Sequence, residues 1–263
     1  MKNNNEFDWK TQLKYFDERR DVIILNDSTD AVIFSVKQFI QLAQSAIADH
    51  NVFTVALSGG STPNAIFKAL SQAPYKDKVD WNKVFVFWSD ERSVPPNHAE
   101  SNYHMAMQAG LSSLPIPKEH IFRMEAEKDV EEKARQYEQN IQRIIPSKKF
   151  DLIMLGMGED GHTASLFPLT KGLHVKDRLA IANYVPQKET WRMTLTYDCI
   201  QLAKCVVIYV MGKNKAEMVA KALSTPNNPD LIPIQRIGSA QNKAIWILDK
   251  EAGESIIPKI ANG

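Results

Sequence analysis

Cysteine is scarce in this chain. Only Cys199 and Cys205 occur among 263 residues, so no disulfide framework staples the fold. They lie in one stretch without metal-ligand spacing, which predicts buried free thiols in a reducing compartment. An excess of either charge is also missing. The chain carries 32 Lys and Arg against 31 Asp and Glu, a net +1. Nucleic acid would meet no basic field here. No apolar run approaches the ~20 residues that a membrane span needs. Met1 to Lys10 is polar, with three consecutive Asn, and has no apolar core of a signal peptide. These absences predict a soluble, cytoplasmic protein with neither a nucleic-acid nor a membrane partner. No His-Glu-x-x-His, no Gly-Lys-Ser/Thr and no Gly-x-Ser-x-Gly is present. No metal and no cofactor are therefore expected, and Ser58, Ser61 and Ser165 lack an evident activating partner. His98, His104 and His120 read as surface or loop residues.

What is present is an ordinary globular composition, 44% apolar and 24% charged. A chain of this length buries roughly 70–75% of its unfolded surface, enough for an unaided core. Short apolar runs recur at Val22–Leu25, Val52–Leu57, Val84–Trp88, Leu152–Leu155, Cys205–Met211 and Ala244–Leu248. Stretches of helical period separate many of them. One places Val32, Val36, Phe39, Ile40, Ala43 and Ile47 on a single face after the capping residues Asn26 to Asp30. Another runs from Asp129 to Ile145 and ends at Pro146, its polar face read as solvated. Further strands are expected at Ile121–Met124 and Leu179–Val185. Arg192–Tyr197 alternates as a half-exposed strand would. Strands alternating with helices imply an α/β fold: three layers, with a mainly parallel, doubly wound, Rossmann-like sheet. One domain over 1–263 is expected, with room for a small appended subregion, a short last helix and a frayed tail. Monomer and small homo-oligomer both stay open.

The stretch Asp151 to Pro168 carries the chemistry. After the apolar Leu152–Leu155 it places Glu159, Asp160 and His162 among Gly156, Gly158 and Gly161. Ligands in open parallel sheets bind beyond the carboxyl ends of the strands, and this turn lies there. The glycines also satisfy the dinucleotide pattern Gly-x-Gly-x-x-Gly. Two features oppose that reading. Pro168 limits any helix starting near Gly161 to about two turns. No acidic residue ends a strand roughly 20 residues on, where the sequence reads Ile181-Ala182-Asn183. A tight turn with a solvated Asp-Gly-His is the plainer alternative.

Three other places could hold an anion. Val52–Leu57 ends in Ser58-Gly59-Gly60-Ser61-Thr62-Pro63. With Thr62 as N-cap and Pro63 at the first helical position, backbone N–H groups and the helix dipole would favour a phosphate. An ordinary strand-to-helix turn is as compatible. Arg192 is either a surface cation or an anion ligand, for which its planar donor fork is suited. Lys215, near a helix start, opposes the dipole unless an anion sits beside it. Asp90, Glu91 and Arg92 follow a buried strand directly, and solvation at its end would account for them.

The segment Gly156 to Pro168 closely resembles the signature of the 6-phosphogluconolactonases, relatives of the glucosamine-6-phosphate isomerases. Gly-x-Gly-x-Asp-Gly-His-x-Ala is the shared part, and Thr163, Ser165, Leu166 and Phe167 resemble the lactonase version. The isomerases carry a catalytic Glu where Phe167 stands. With Ser58–Pro63, Trp88–Tyr103, the strand opened by Arg192 and Gly212-x-x-Lys215-Ala216, the resemblance runs through five motifs from Ser58 to Ala216. It implies hydrolysis of 6-phospho-D-glucono-1,5-lactone, a small phosphorylated sugar lactone. His162 would be the base and Asp160 its orienting partner. Gly59, Gly60, Ser61, Thr62, Arg92, Arg192 and Lys215 would bind substrate phosphate. Asp90 would stand in the active site beside the sugar. The competing expectations are an isomerase or deaminase of an amino-sugar phosphate and a non-enzymatic sugar-phosphate binder.

Overall fold

The computed structural model describes residues 7–224 and 226–258. The polar opening stretch 1–6 and the tail beyond 258 lie outside them. In chain order the elements are β1 (Lys14–Asp17), β2 (Arg20–Leu25), α1 (Ser28–His50), β3 (Phe53–Leu57) and α2 (Ser61–Leu70). Then come β4 (Val84–Trp88), β5 (Asp90–Arg92), α3 (Asn102–Gln108), α4 (Val130–Ile144) and β6 (Leu152–Gly156). The last are β7 (Ala180–Val185), β8 (Thr190–Leu195), α5 (Tyr197–Leu202), β9 (Val206–Val210), α6 (Ala216–Ala222), β10 (Ala244–Asp249) and α7 (Lys250–Gly253). Short 3₁₀ turns link several of them.

Seven strands form the main sheet in the order β1-β2-β10-β9-β6-β3-β4. Only β1 runs antiparallel, against β2; the other neighbours are parallel. Strands β3, β9 and β10 are buried at every position, which is why they read as unbroken apolar runs. The chain leaves β3 outward to β4, then returns to the other flank of β3 to place β6. That reversal opens a crevice at the carboxyl ends of β3 and β6, where α/β sheets bind their ligands. The layered, mainly parallel architecture read from the sequence is therefore observed.

Helix α1 begins where Asp27 accepts a hydrogen bond from the Asp30 N–H (2.9 Å) and ends at Asn51 in the left-handed region (φ 67°). By length and composition alone it could cross a membrane, contrary to the expectation that no run approaches that. Its apolar stripe packs on β2, β3 and β10, with Val36, Phe39 and Ala43 buried. It is built into the core.

Four local expectations are corrected. Ile121–Met124 is not a strand: one bridge joins Ile121 to Val86, and the Phe122 N–H reaches the Val86 carbonyl at 2.8 Å. Beyond it Arg123 folds toward Glu127 (2.8 Å), so no ladder propagates. Thr62 is not the N-cap of α2. The cap is Gly60, at φ 106°, where a side chain is strained, and the helix starts at Ser61. Asp90–Arg92 is not a solvated strand end. It forms β5, in a second, antiparallel sheet ordered β5-β8-β7. Ser89 joins the two sheets: its N–H donates to the Leu57 carbonyl (2.7 Å), and its own carbonyl accepts from the Leu195 N–H (2.8 Å). The polar face of α4 is also not wholly solvated. Buried Glu138 accepts from the backbone of Leu179 and Ala180, at 2.5 and 3.2 Å, and pairs with Arg178.

Candidate active site

A cavity of ≈ 220 Å³ lies over the β3–β6 crevice. All the sequence-predicted site residues line it except Asp160, which stands behind His162.

The turn after β6 is built around its imidazole. The Gly161 N–H donates to the Gly158 carbonyl (3.1 Å), and the Gly158 N–H to the His162 carbonyl (2.9 Å). Gly161 holds φ 79°, which lets Asp160 and His162 meet across two residues. Asp160 Oδ1 lies 2.5 Å from His162 Nδ1 and accepts from the His162 N–H at 3.1 Å. A carboxylate on Nδ1 fixes that nitrogen as the protonated one and leaves Nε2 for chemistry. Burial pushes the Asp160 carboxyl up, but the hydrogen bond and charge of His162 outweigh it and hold it below its ordinary value. Gly158 backs the ring closely: a Cβ there would lie 2.1 Å from Nδ1. The ring stacks on Phe167, centroids 3.9 Å apart and 14° from parallel.

The α2 end supplies a cradle. Gly60 makes no side-chain cap, so the N–H groups of Ser61 and Thr62, in the first turn, have no intrahelical acceptor. Pro63, next in that turn, has no N–H to satisfy. Gly59 must stay a glycine, since a Cβ would sit 1.9 Å from Asn102 Oδ1.

The small sheet supplies the cations. Arg92 and Arg192 are opposed partners on the β5–β8 ladder. Arg92 donates through Nη1 to the Glu100 carbonyl, while its Nε and that of Arg192 are buried without a protein acceptor. Burial lowers the Arg192 guanidinium from its ordinary value, and Arg92 adds to that; a guanidinium so placed stays charged at any physiological pH. Lys215 stands at the N-terminus of α6 and pairs with no carboxylate among the described residues. Asn214 beside it donates to Glu159 (2.8 Å), tying this loop to the glycine turn.

Asp90 is 5% exposed, and both its oxygens are engaged. Oδ2 accepts from Ser165 Oγ (2.6 Å) and Oδ1 from Asn102 Nδ2 (3.1 Å). Ser165 is fully buried in that bond, and no serine hydroxyl bonds to His162 among the described residues. Neighbouring Glu91 anchors α3. It accepts from the backbone of Arg92, Asn102 and Tyr103 and from Ser101 Oγ, all within 2.9 Å. Burial raises its carboxyl, with those donors pulling the other way.

Ser58, at the start of the glycine loop, also lines the cavity, as do Asn102 and Tyr209, which the sequence does not single out. Asn102 follows the N-cap Ser101, and nothing in that local pattern marks its amide as facing Asp90. His98, His104 and His120 are not among the lining residues; His120 stacks on Phe85 at 3.8 Å. No group of three metal-ligating side chains converges among the described residues.

A family model described as glucosamine-6-phosphate isomerases/6-phosphogluconolactonase matches residues 26–246. The 6-phosphogluconolactonase of Chlamydia pneumoniae is 40% identical over 239 residues, covering 90% of this chain and 91% of that protein. That of a Nostoc species is 36% identical over 244 residues, 90% of this chain and 99% of the relative. The crystal structure of devB protein superposes with a TM-score of 0.83 at 31% identity, over 90% of this chain and 99% of that one. A 6-phosphogluconolactonase from Trypanosoma cruzi gives 0.78 at 26% identity, over 90% and 96%.

Proposed function

The chain belongs to the glucosamine-6-phosphate isomerase/6-phosphogluconolactonase family, and on that premise we propose that it hydrolyses 6-phospho-D-glucono-1,5-lactone to 6-phospho-D-gluconate, a step of the oxidative pentose phosphate pathway. It is a carboxylic ester hydrolase acting in the cytoplasm. One observation carries this reading: His162, backed by Asp160, shares a single cavity with Arg92, Arg192 and Lys215.

Lactone opening needs a nucleophile at the ester carbonyl. Water is a poor one near neutrality, and an imidazole can take its proton. His162 is the base, through Nε2. As water adds, the carbonyl π electrons move to oxygen and a tetrahedral oxyanion forms. Collapse breaks the bond from the carbonyl carbon to the ring oxygen. His162 returns its proton to that leaving oxygen, so it ends as it began. Asp160 orients the ring and balances the imidazolium between the two transfers. The phosphate lies against the cations and the α2 N-terminus, where helix dipole and free N–H groups favour an anion. Asp90, held from both sides, faces the sugar.

The isomerase reading is opposed by Phe167, a fully buried aromatic where that chemistry needs a carboxylate. A coupled assay of freshly made phosphogluconolactone, corrected for spontaneous opening, tests the proposal. No acceleration over the uncatalysed rate would overturn it. Ammonia release from glucosamine 6-phosphate would favour the isomerase, and binding of 6-phosphogluconate without turnover a non-enzymatic binder.

A further inference from the structure

Phe167 is 1% exposed and does not line the cavity, so it touches no ligand there. Yet it touches both halves of the site. Its ring lies parallel to the His162 imidazole at 3.9 Å, and the Arg192 guanidinium carbon stands 5.3 Å from its centroid.

Neither partner is held fully by hydrogen bonds. The His162 ring is bonded through Nδ1 to Asp160. One bond fixes a point and leaves the ring free to tilt about it. A parallel aromatic face removes that freedom, because tilting would break the contact or drive the ring into Phe167. Gly158 limits the ring at its Nδ1–Cε1 edge, where even a methyl group would lie 2.1–2.2 Å away. Arg192 has a buried Nε with no protein acceptor, so the aryl face is what steadies its long side chain. Guanidinium and aromatic faces attract, and more strongly when water is excluded.

We infer that Phe167 is a positioning residue that sets the His162 ring plane and the Arg192 guanidinium together, and so the spacing between the proton-transfer end and the anion-binding end of the site. The inference rests on the lactonase reading for its kinetic consequence alone. A residue that merely filled space would be replaceable by any apolar side chain of similar volume. A positioning aromatic would not be.

The test compares Phe167→Leu and Phe167→Met, which fill the space without a ring face, with Phe167→Tyr, which keeps one. In Leu and Met variants kcat should fall about tenfold or more, since small misplacements of reacting groups cost that much, and KM should rise as Arg192 loosens. The Tyr variant should restore both. Two readouts do not depend on turnover. The His162 ring protons, assigned against His162→Ala, should lose the upfield ring-current shift of a stacked neighbour in the Leu and Met variants and keep it in Tyr. Calorimetry with inorganic phosphate should show weaker binding in Leu and Met alone. Folded Leu or Met variants with wild-type proton shifts and wild-type phosphate affinity would overturn the inference. If the wild-type protein fails to open the lactone, these two readouts still decide the role of Phe167.

Discussion

Arg92 and Arg192 face each other as paired residues on adjacent antiparallel strands, both lining the same cavity. Like charges directly opposed on a sheet destabilise it. The arrangement makes sense if an anion binds between them. Arg192→Ala should raise KM about tenfold or more, the worth of one or two charge-assisted hydrogen bonds, with kcat changed far less. Phosphate should also raise the melting temperature of the wild type more than that of the variant. Steady-state kinetics and thermal melts check both, and an unmoved KM removes Arg192 from the anion site.

His162→Ala should lower kcat by ~10²–10⁴, the usual contribution of a positioned base. Asp160→Asn should cut kcat less, since it keeps a side chain beside the ring but removes the charge that balances the imidazolium. Asp160 has an ordinary value of 3.8 and is held below it. Its contribution to stability is therefore present above that pH and lost as pH falls through the depressed value. A wild-type kcat in Asp160→Asn would separate Asp160 from the base.

Gly158→Ala should leave the fold standing and displace the imidazole, because the new methyl group would lie 2.1 Å from Nδ1. A loss of about 10² in kcat is expected, as for comparable misplacements. Circular dichroism and melting check that the fold survives, and kinetics check the displacement.

Glu91→Gln should destabilise the protein by about 2 kcal/mol or more, since an amide nitrogen cannot accept from buried N–H donors. Burial raises the Glu91 carboxyl above its ordinary 4.5. Its raised value means stability is fully present below pH 4.5 and declines as pH rises toward the higher folded value. The Gln variant should lose that pH dependence. Urea titrations at several pH values measure both effects.

Much of the scaffold was legible because buried parallel strands must be apolar at every position. Leu152–Leu155 and Val52–Leu57 announce themselves for that reason. The second sheet was not legible. Asp90–Arg92 is short and charged, and its pairing with β8 spans about a hundred residues of chain. Local pattern carries no trace of a partner so distant. Thr62 looked like a cap because its hydroxyl suits the role, but Gly60 turns the chain first.

The strand–helix alternation, the glycine turn after β6 and the closeness of Asp160 and His162 are written into the residue order. Each depends on side chains a few residues apart, whose geometry is local. Folding alone makes Asn102 and Ser165 clasp Asp90, sets Arg92 opposite Arg192, and puts Phe167 under both His162 and Arg192. Those contacts arise where separate strands end at one crevice, and sheet order, which no local residue pattern encodes, sets which ends meet.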